Sequence, residues 1–237
     1  MSGSPHILGP QDELPARQFT SITNYRGDIS LLNYLLHDLR VLIRRAAKGE
    51  IDLSPQQVIT WEVHGLQRRT VTCDPDALQT LGDVQIVGFF GDRRANADQQ
   101  AIDTSEFDLI GEFVNYPGIM SYSSVELVDH YWANLVVHRD PDDREQWRRS
   151  AIHVRAVDEV APGAYHSVRI HNGRVRGGVC GSATVLIDVT KYWDYDESPV
   201  WHAIRQLPGG ESEGLVGPIA VAVDGDHPTD TDNNLGD

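Results

Sequence analysis

DPDDREQWRRSAIHVRAVDEVAPGAYHSVRIHNG, residues 140–173, predicts a helix that leads directly into a strand. Asp140 is a typical N-cap residue, and Pro141 suits the first helical position, where its missing N–H costs no hydrogen bond. An apolar stripe begins at Trp147, and Pro162-Gly163 ends the helix. The residues that follow alternate between two faces, so the stretch predicts an amphipathic helix followed by a two-faced strand.

The segments on either side continue this mixture of strands and helices. Val84 to Phe90 predicts a strand that is buried on both faces, and Asp103 to Tyr116 predicts a helix with Phe107, Ile110 and Val114 inward. The other predicted elements are three strands and a short last helix: Ile119 to Leu127, Tyr131 to His138, Ala183 to Trp193, and Ser198 to Leu207.

From residue 84 to residue 193 the predicted order is strand, helix, strand, strand, helix, strand, and Asn172-Gly173 predicts a hairpin turn that adds one more strand. This is the split β-α-β order. The predicted fold class is therefore α+β, with a ferredoxin-like antiparallel sheet that carries helices on one face. A β-hairpin, Val58 to Cys73, and an N-terminal helix precede this core.

The N-terminal helix is predicted between Asp28, a candidate N-cap, and Gly49, a candidate terminator. Its apolar residues recur at spacings of three and four, which is typical of a helix with one broad buried face. They are Ile29, Leu32, Leu35, Leu36, Leu39, Leu42 and Ile43.

The order and lengths of these elements resemble the dimeric α/β-barrel superfamily, which includes antibiotic-biosynthesis monooxygenases and haem proteins of the chlorite-dismutase type. The resemblance covers about 110 residues and rests on element order, since no catalytic motif of the family matches residue by residue. It implies that a second copy of the sheet covers the helix-free face, so a homodimer is expected. It also implies an oxygenase or related redox enzyme, with haem or no cofactor.

The chain is acidic, with a net charge of −15 over 237 residues, which argues against a nucleic-acid partner because phosphate binding needs a basic surface. No apolar run is long enough to span a bilayer, and the N-terminus does not read as a signal peptide. The only cysteines, Cys73 and Cys180, fit a reduced compartment. A cytoplasmic protein without a membrane partner is therefore expected.

Composition divides the chain into three parts. Residues 1–20 lack periodicity and predict a flexible arm, and residues 21–223 predict a single α+β domain. Residues 224–237 contain five aspartates and no Lys or Arg, which predicts a disordered acidic tail.

The predicted strand after the 140–173 helix provides the first candidate site. Tyr165, Arg169 and His171 share one of its faces, and together they could bind a carboxylate and move a proton. The alternative is a solvated sheet face. Asn134 and His138 share a face of the central strand and would line a polar cavity, or would point outward from an antiparallel pair.

His153 lies in the helix, beside the apolar stripe, and has two interpretations. It is a histidine at the edge of the core, or an axial haem ligand facing an apolar slot. No group of Cys and His residues has the spacing of a metal site, so no metal is expected.

Three functions follow from this reading. The first is a small-molecule enzyme of specialised metabolism, an oxygenase or other redox enzyme with an anionic substrate. The second is a cofactor-free isomerase, cyclase or dehydratase that uses His and Tyr as acid and base. The third is a non-catalytic binding protein, for which the acidic surface would serve a partner.

Overall fold

The computed structural model describes residues 4–127 and 131–207. The strands are His6–Leu8 (β1), Gln57–Val63 (β2), Leu66–Thr72 (β3), Val84–Arg93 (β4), Ile119–Glu126 (β5), Tyr131–His138 (β6), Tyr165–Val175 (β7), Leu186–Asp194 (β8) and Trp201–Gln206 (β9). The helices are Ile22–Ala47 (α1), Pro75–Thr80 (α2), Gln99–Gly111 (α3), Pro141–Arg148 (α4), Ala151–Arg155 (α5) and Ala161–Ala164 (α6). A π-helical segment, Ala156–Val160, joins α5 to α6, and 3-10 turns occupy Gln18–Thr20 and Glu112–Asn115.

The fold is α+β, as predicted, and within the described residues it contains one mixed sheet of nine strands. The strand order is β1-β9-β8-β7-β4-β6-β5-β3-β2, and the neighbours are antiparallel except for the β1–β9 pair. The strands of the predicted ferredoxin-like segment lie side by side as β7-β4-β6-β5, but the sheet continues beyond β7 at one end and beyond β5 at the other. It is therefore larger than a simple ferredoxin sheet.

Helices cover both faces of the sheet, whereas the sequence predicts helices on one face. All seven apolar residues predicted for α1 are buried, and they pack against inward residues of the central strands such as Ile86, Phe90 and Leu135. With 26 residues, α1 is about 39 Å long, which is enough to cross several strands. This helix covers the face for which a partner's sheet was expected, so the homodimer prediction loses its physical basis.

Charged residues of α1 also face the sheet. The helix begins six residues before Asp28, where the Ser21 side chain accepts a hydrogen bond from the Asn24 backbone N–H. Asp28 is therefore not the N-cap but a buried residue paired with Arg169. The first half of the helix is thus held by Asp28 and the second half by Asp38, whose carboxylate lies 2.6 Å from Arg68 Nη1.

The opposite face is covered by α3 and by the α4–α6 segment. Of the three residues predicted to face inward here, Ile110 packs against the core, whereas Phe107 in α3 is 77% exposed and Val114 in the following 3-10 turn is 67% exposed. Glu106 points inward instead, and its carboxylate accepts hydrogen bonds from Arg69 and from the Tyr122 hydroxyl. These two polar contacts and the 3-10 turn at Glu112–Asn115 set a helix phase that apolar spacing alone does not show.

The Asn172-Gly173 pair lies inside β7 and is not a hairpin turn. The β7–β8 register shifts there, and a Cβ on Gly173 would lie 2.0 Å from the Leu186 carbonyl oxygen. Glycine is needed at this position for close strand approach rather than for a turn.

Both ends of the described chain also differ from prediction. The predicted last helix is the strand β9, and the described part of the predicted arm joins the sheet through β1. Arg205 fixes the arm by donating to the backbone carbonyls of Asp12 and Thr20. The predicted acidic tail, residues 224–237, lies outside the described residues.

Within the described ranges, no helix is both long and apolar enough to cross a membrane. Cys73 and Cys180 are free thiols.

Candidate functional site

The structure divides the predicted site residues between the two faces of the sheet. Arg169 is paired across the strands with Phe90, whose side chain packs under α1. Asn134 is paired with Phe89, the next residue of β4, which faces α3 and the α4–α6 segment. Because successive side chains of a strand point to opposite faces, Arg169 and Asn134 cannot share a site.

Tyr165 lies on the opposite face from Arg169 and His171, although the alternation predicted all three together. The register between β4 and β7 shifts at Asp92/Arg93, and this bulge reverses the phase of Tyr165. Its ring packs against Phe89, with the ring centroids 5.4 Å apart. Burial raises the pKa of Tyr165 to about 12, so the phenol stays protonated at neutral pH.

Arg169 and His171 belong to a buried network that holds α1 on the sheet. Arg169 donates from Nε and Nη2 to the two carboxylate oxygens of Asp28, at 2.6 and 2.8 Å. His171 Nε2 lies 2.9 Å from Asp28 Oδ2, and Nδ1 lies 2.9 Å from Thr190 Oγ1. His171 and Thr190 are fully buried, so a substrate has no access to this pair.

The charge state of the network follows from its contacts. Burial raises the pKa of Asp28, but the guanidinium of Arg169 and the hydrogen bonds from Arg169 and His171 reverse this effect and hold the pKa below its ordinary value. Burial lowers the pKa of His171. A neutral His171 then donates from Nε2 to Asp28 and accepts from Thr190, an arrangement that stabilises structure.

His138 and His153 lie on the other face, on either side of Trp147. Their ring centroids are 5.9 and 4.8 Å from the Trp147 ring. The Trp147 indole N–H and the Ser150 hydroxyl both donate to the buried carboxylate of Glu112. His138 is fully buried, and both of its ring nitrogens lack a hydrogen-bond partner among the described residues.

Both imidazoles are neutral at pH 7. Burial lowers the pKa of His138 to about 3, and the nearby Arg144 and His153 side chains add smaller contributions in the same direction. Burial, followed by Arg148, lowers the pKa of His153 to about 4.

A neutral imidazole such as that of His153 is a suitable donor for haem iron. In this structure its ring packs against Trp147, and His153 lines neither of the two concavities described below. Within the described residues no group of three or more His, Cys, Asp or Glu side chains could hold a metal ion.

One of these concavities lies between α3 and α5. Its polar wall includes Asp98 and Thr104, and Arg155 at its edge is paired with Asp108. Because Asp108 neutralises Arg155, this arginine offers no free positive charge to a ligand in the groove.

The other concavity lies between α4 and the sheet, and we call it the Lys191 pocket. Its volume is about 290 Å³. It is lined by Gln85, Pro141, Arg144, Glu145, Asn172, Asp188, Val189 and Lys191. The side-chain amide nitrogen of Asn172 is buried there without a hydrogen-bond acceptor among the described residues, and Arg144 Nε is buried without a hydrogen bond, although it forms an ion pair with Glu145. Buried donors without acceptors are costly, so they favour a ligand or water with acceptor oxygens.

Charge in the Lys191 pocket favours an anion. Arg144 Nε is 3.4 Å from Glu145, which is also paired with Arg148, and Asp188 is paired with Arg174. Lys191 makes no ion pair with any carboxylate of the described residues. Burial, followed by Arg148, lowers the pKa of Lys191, and Glu145 opposes this shift.

Sequence patterns did not identify this pocket as a site. Lys191 belongs to the predicted strand 183–193, and its alternation places it on one face of that strand. The Asn172-Gly173 dipeptide predicts a turn rather than a site. Gln85 and Arg144 belong to separate elements and share no motif with Asn172 or Lys191. Only the register of β4, β7 and β8 brings these side chains together under α4.

Comparisons with known proteins give no family. No protein-family model matches the chain, and no curated protein matches it. Protein SO0527 from Shewanella oneidensis is 11% identical, with a TM-score of 0.35 over 40% of this chain and 92% of that one. An aldoxime dehydratase is 12% identical, with a TM-score of 0.30 over 60% of this chain and 36% of that one.

A second aldoxime dehydratase structure, in complex with butyraldoxime, is 13% identical, with a TM-score of 0.27 over 60% of this chain and 38% of that one. The chain thus matches little more than a third of the length of either dehydratase. TM-scores this low say nothing about function, which must be inferred from the geometry of the site.

Proposed function

We propose that this protein is a small-molecule enzyme that binds a small anion in the Lys191 pocket and uses Lys191 for proton transfer. One observation carries the proposal: a lysine amine without a carboxylate partner lines a concavity next to Arg144 and an unpartnered amide of Asn172. Lowered lysine pKa values and unpaired donors cluster at functional sites more often than elsewhere.

Three arginines, Arg144, Arg148 and Arg174, surround the two carboxylates of the pocket, Glu145 and Asp188, so positive charge is in local excess although the net charge of the protein is −15. A local excess of positive charge in a concave site raises the concentration of anions near it. The Asn172 amide adds a neutral donor that can orient a carboxylate or phosphate oxygen. The substrate we infer is therefore a small molecule with one acidic group, in keeping with a volume of about 290 Å³.

Lys191 is the proposed general base of this site. A lysine with an ordinary pKa is almost fully protonated at neutral pH, whereas burial and the neighbouring Arg148 favour its neutral form. Acid–base chemistry of this kind suits an isomerase or a dehydratase better than a redox enzyme. The oxygenase function, the haem ligand role of His153, the catalytic role of His138 and the homodimer stay predictions, and no step of the proposal depends on them.

The Arg144→Met variant should bind small anions more weakly than the wild-type protein. Loss of a charge-assisted hydrogen bond costs about 1.5–3 kcal/mol, which is roughly ten- to a hundredfold in Kd. Isothermal titration calorimetry with malonate, pyruvate and inorganic phosphate measures this change at low salt.

Arg149→Met is the matched control, since Arg149 is exposed, follows α4 directly and does not line the pocket. It removes the same charge and should retain wild-type affinity. Equal loss in both variants would reduce the effect to overall charge. Failure of all three anions to bind the wild-type protein would refute the proposed function.

A further inference from the structure

Lys191 is an unusual choice of residue in this chain. The sequence contains 18 arginines and only two lysines, Lys48 and Lys191. Lys48 is exposed at the end of α1, where its ammonium lies 3.8 Å from Glu50. Arginine supplies almost all other positive charge, but its guanidinium neither loses a proton nor acts as a nucleophile at neutral pH. The pocket thus contains a lysine, whose amine can lose a proton and can then act as a nucleophile.

The amine of Lys191 is also available for covalent chemistry. Among the described residues Lys191 forms no ion pair, and the carboxylates that line its pocket pair with arginines instead: Glu145 with Arg144 and Arg148, and Asp188 with Arg174. Lysines that lie beside other cations in a partly desolvated site are the ones that enzymes use to form imines with carbonyl substrates.

We propose that the Lys191 pocket takes a small 2-oxo acid and that Lys191 forms an imine with its carbonyl carbon. This inference rests on the proposed function, because it uses the same pocket and the same anion-binding groups. Arg144 and the Asn172 amide bind the carboxylate of the acid, which places the adjacent carbonyl at the lysine amine.

The proposed reaction is balanced without an oxidant or a reductant. The neutral amine of Lys191 attacks the carbonyl carbon, and the carbonyl π electrons move to oxygen to give a carbinolamine. One proton passes from nitrogen to that oxygen to complete the carbinolamine. The second nitrogen proton then passes to the hydroxyl oxygen, the C–O bond breaks, and one water leaves as the C=N bond forms. The imine then withdraws electrons from the neighbouring carbon, which activates a C–H or C–C bond there.

Reductive trapping tests the imine. The full-length protein is incubated with pyruvate, treated with sodium borohydride, and digested for peptide mass spectrometry. The adduct is expected on Lys191, and it should be lost in K191R, which keeps the positive charge, and retained in K48R. Malonate, an anion without a ketone, should give no adduct.

Circular dichroism of K191R establishes that the variant is folded, and K191M provides a second variant if it is not. An adduct confined to Lys48 or to the N-terminal amine, or no adduct at all, would overturn the inference. If no adduct forms on Lys191 but malonate still binds in calorimetry, the imine is refuted and the proposed anion site is retained. If malonate, pyruvate and phosphate all fail to bind as well, both the inference and the proposed function fail.

Discussion

Replacing Asp28 with alanine should lower the free energy of unfolding by about 3–5 kcal/mol, because it leaves the buried charge of Arg169 without a partner. Asp28 is 5% exposed and Arg169 is 4% exposed. Among the described residues, Asp28 is the carboxylate that receives hydrogen bonds from both Arg169 and His171. Urea denaturation followed by circular dichroism measures the loss as a lower midpoint with an unchanged slope.

The double variant Asp28→Leu/Arg169→Met separates the cost of an unpaired charge from the value of the pair itself. Apolar residues of similar volume can replace a buried ion pair at little cost, so the double variant should recover most of the lost stability. Asp52→Ala, at an exposed position, should change stability by less than about 0.5 kcal/mol. An Asp28→Ala variant as stable as wild type would contradict the position of α1 on the sheet.

His138→Phe should make the protein less sensitive to acid. Since the pKa of His138 is about 3 when folded and 6.5 in its ordinary state, the unfolded chain binds a proton between these values that the folded chain does not. The contribution of a neutral His138 is thus complete above pH 6.5 and is lost as the pH falls toward 3. The difference corresponds to roughly 4–5 kcal/mol.

Phenylalanine removes this titration and the two unpartnered ring nitrogens while keeping an aromatic ring next to Trp147. At pH 7 the variant should be at least as stable as wild type, and at pH 4.5 clearly more stable, with His153 accounting for the remaining pH dependence. A His138→Phe variant that is much less stable at pH 7 would mean that the ring nitrogens have partners.

Apolar periodicity predicted the parts of the fold in which packing alone decides the structure. Leu32, Leu36 and Leu39 repeat at helical spacing and all are fully buried in α1. The same pattern could not show that Asp28 belongs to the buried face. Its partner Arg169 is 141 residues away, and locally a charged residue before an apolar stripe is indistinguishable from a helix cap.

Strand alternation correctly grouped Arg169 with His171 but could not place Tyr165, because a bulge reverses the phase without any sequence mark. Nor could alternation tell which face leads to a site. One face of β4 is buried and the other is half-buried, so polar residues on either face of β7 are compatible with a pocket. The choice between the faces depends on α1, whose position over the sheet is a long-range property.

The Lys191 pocket was beyond sequence reasoning for a different reason. Its donors come from β4, α4, β7 and β8, and no two of them are close in the chain. Asn172 also carries a misleading local pattern, since Asn-Gly is a strong turn dipeptide and here serves a bulge. Only the pairing of the strands makes these residues neighbours.

Nuclear magnetic resonance of protein labelled with carbon-13 only at lysine tests the Lys191 pocket most directly. The chain gives two side-chain Cε signals, from Lys48 and Lys191. The Lys191 signal should titrate below the ordinary lysine pKa, because burial and Arg148 disfavour its charged form. Malonate should shift the Lys191 signal alone. A Lys191 signal that titrates at the ordinary lysine pKa, and that malonate leaves unmoved, would contradict an anion-binding site at Lys191.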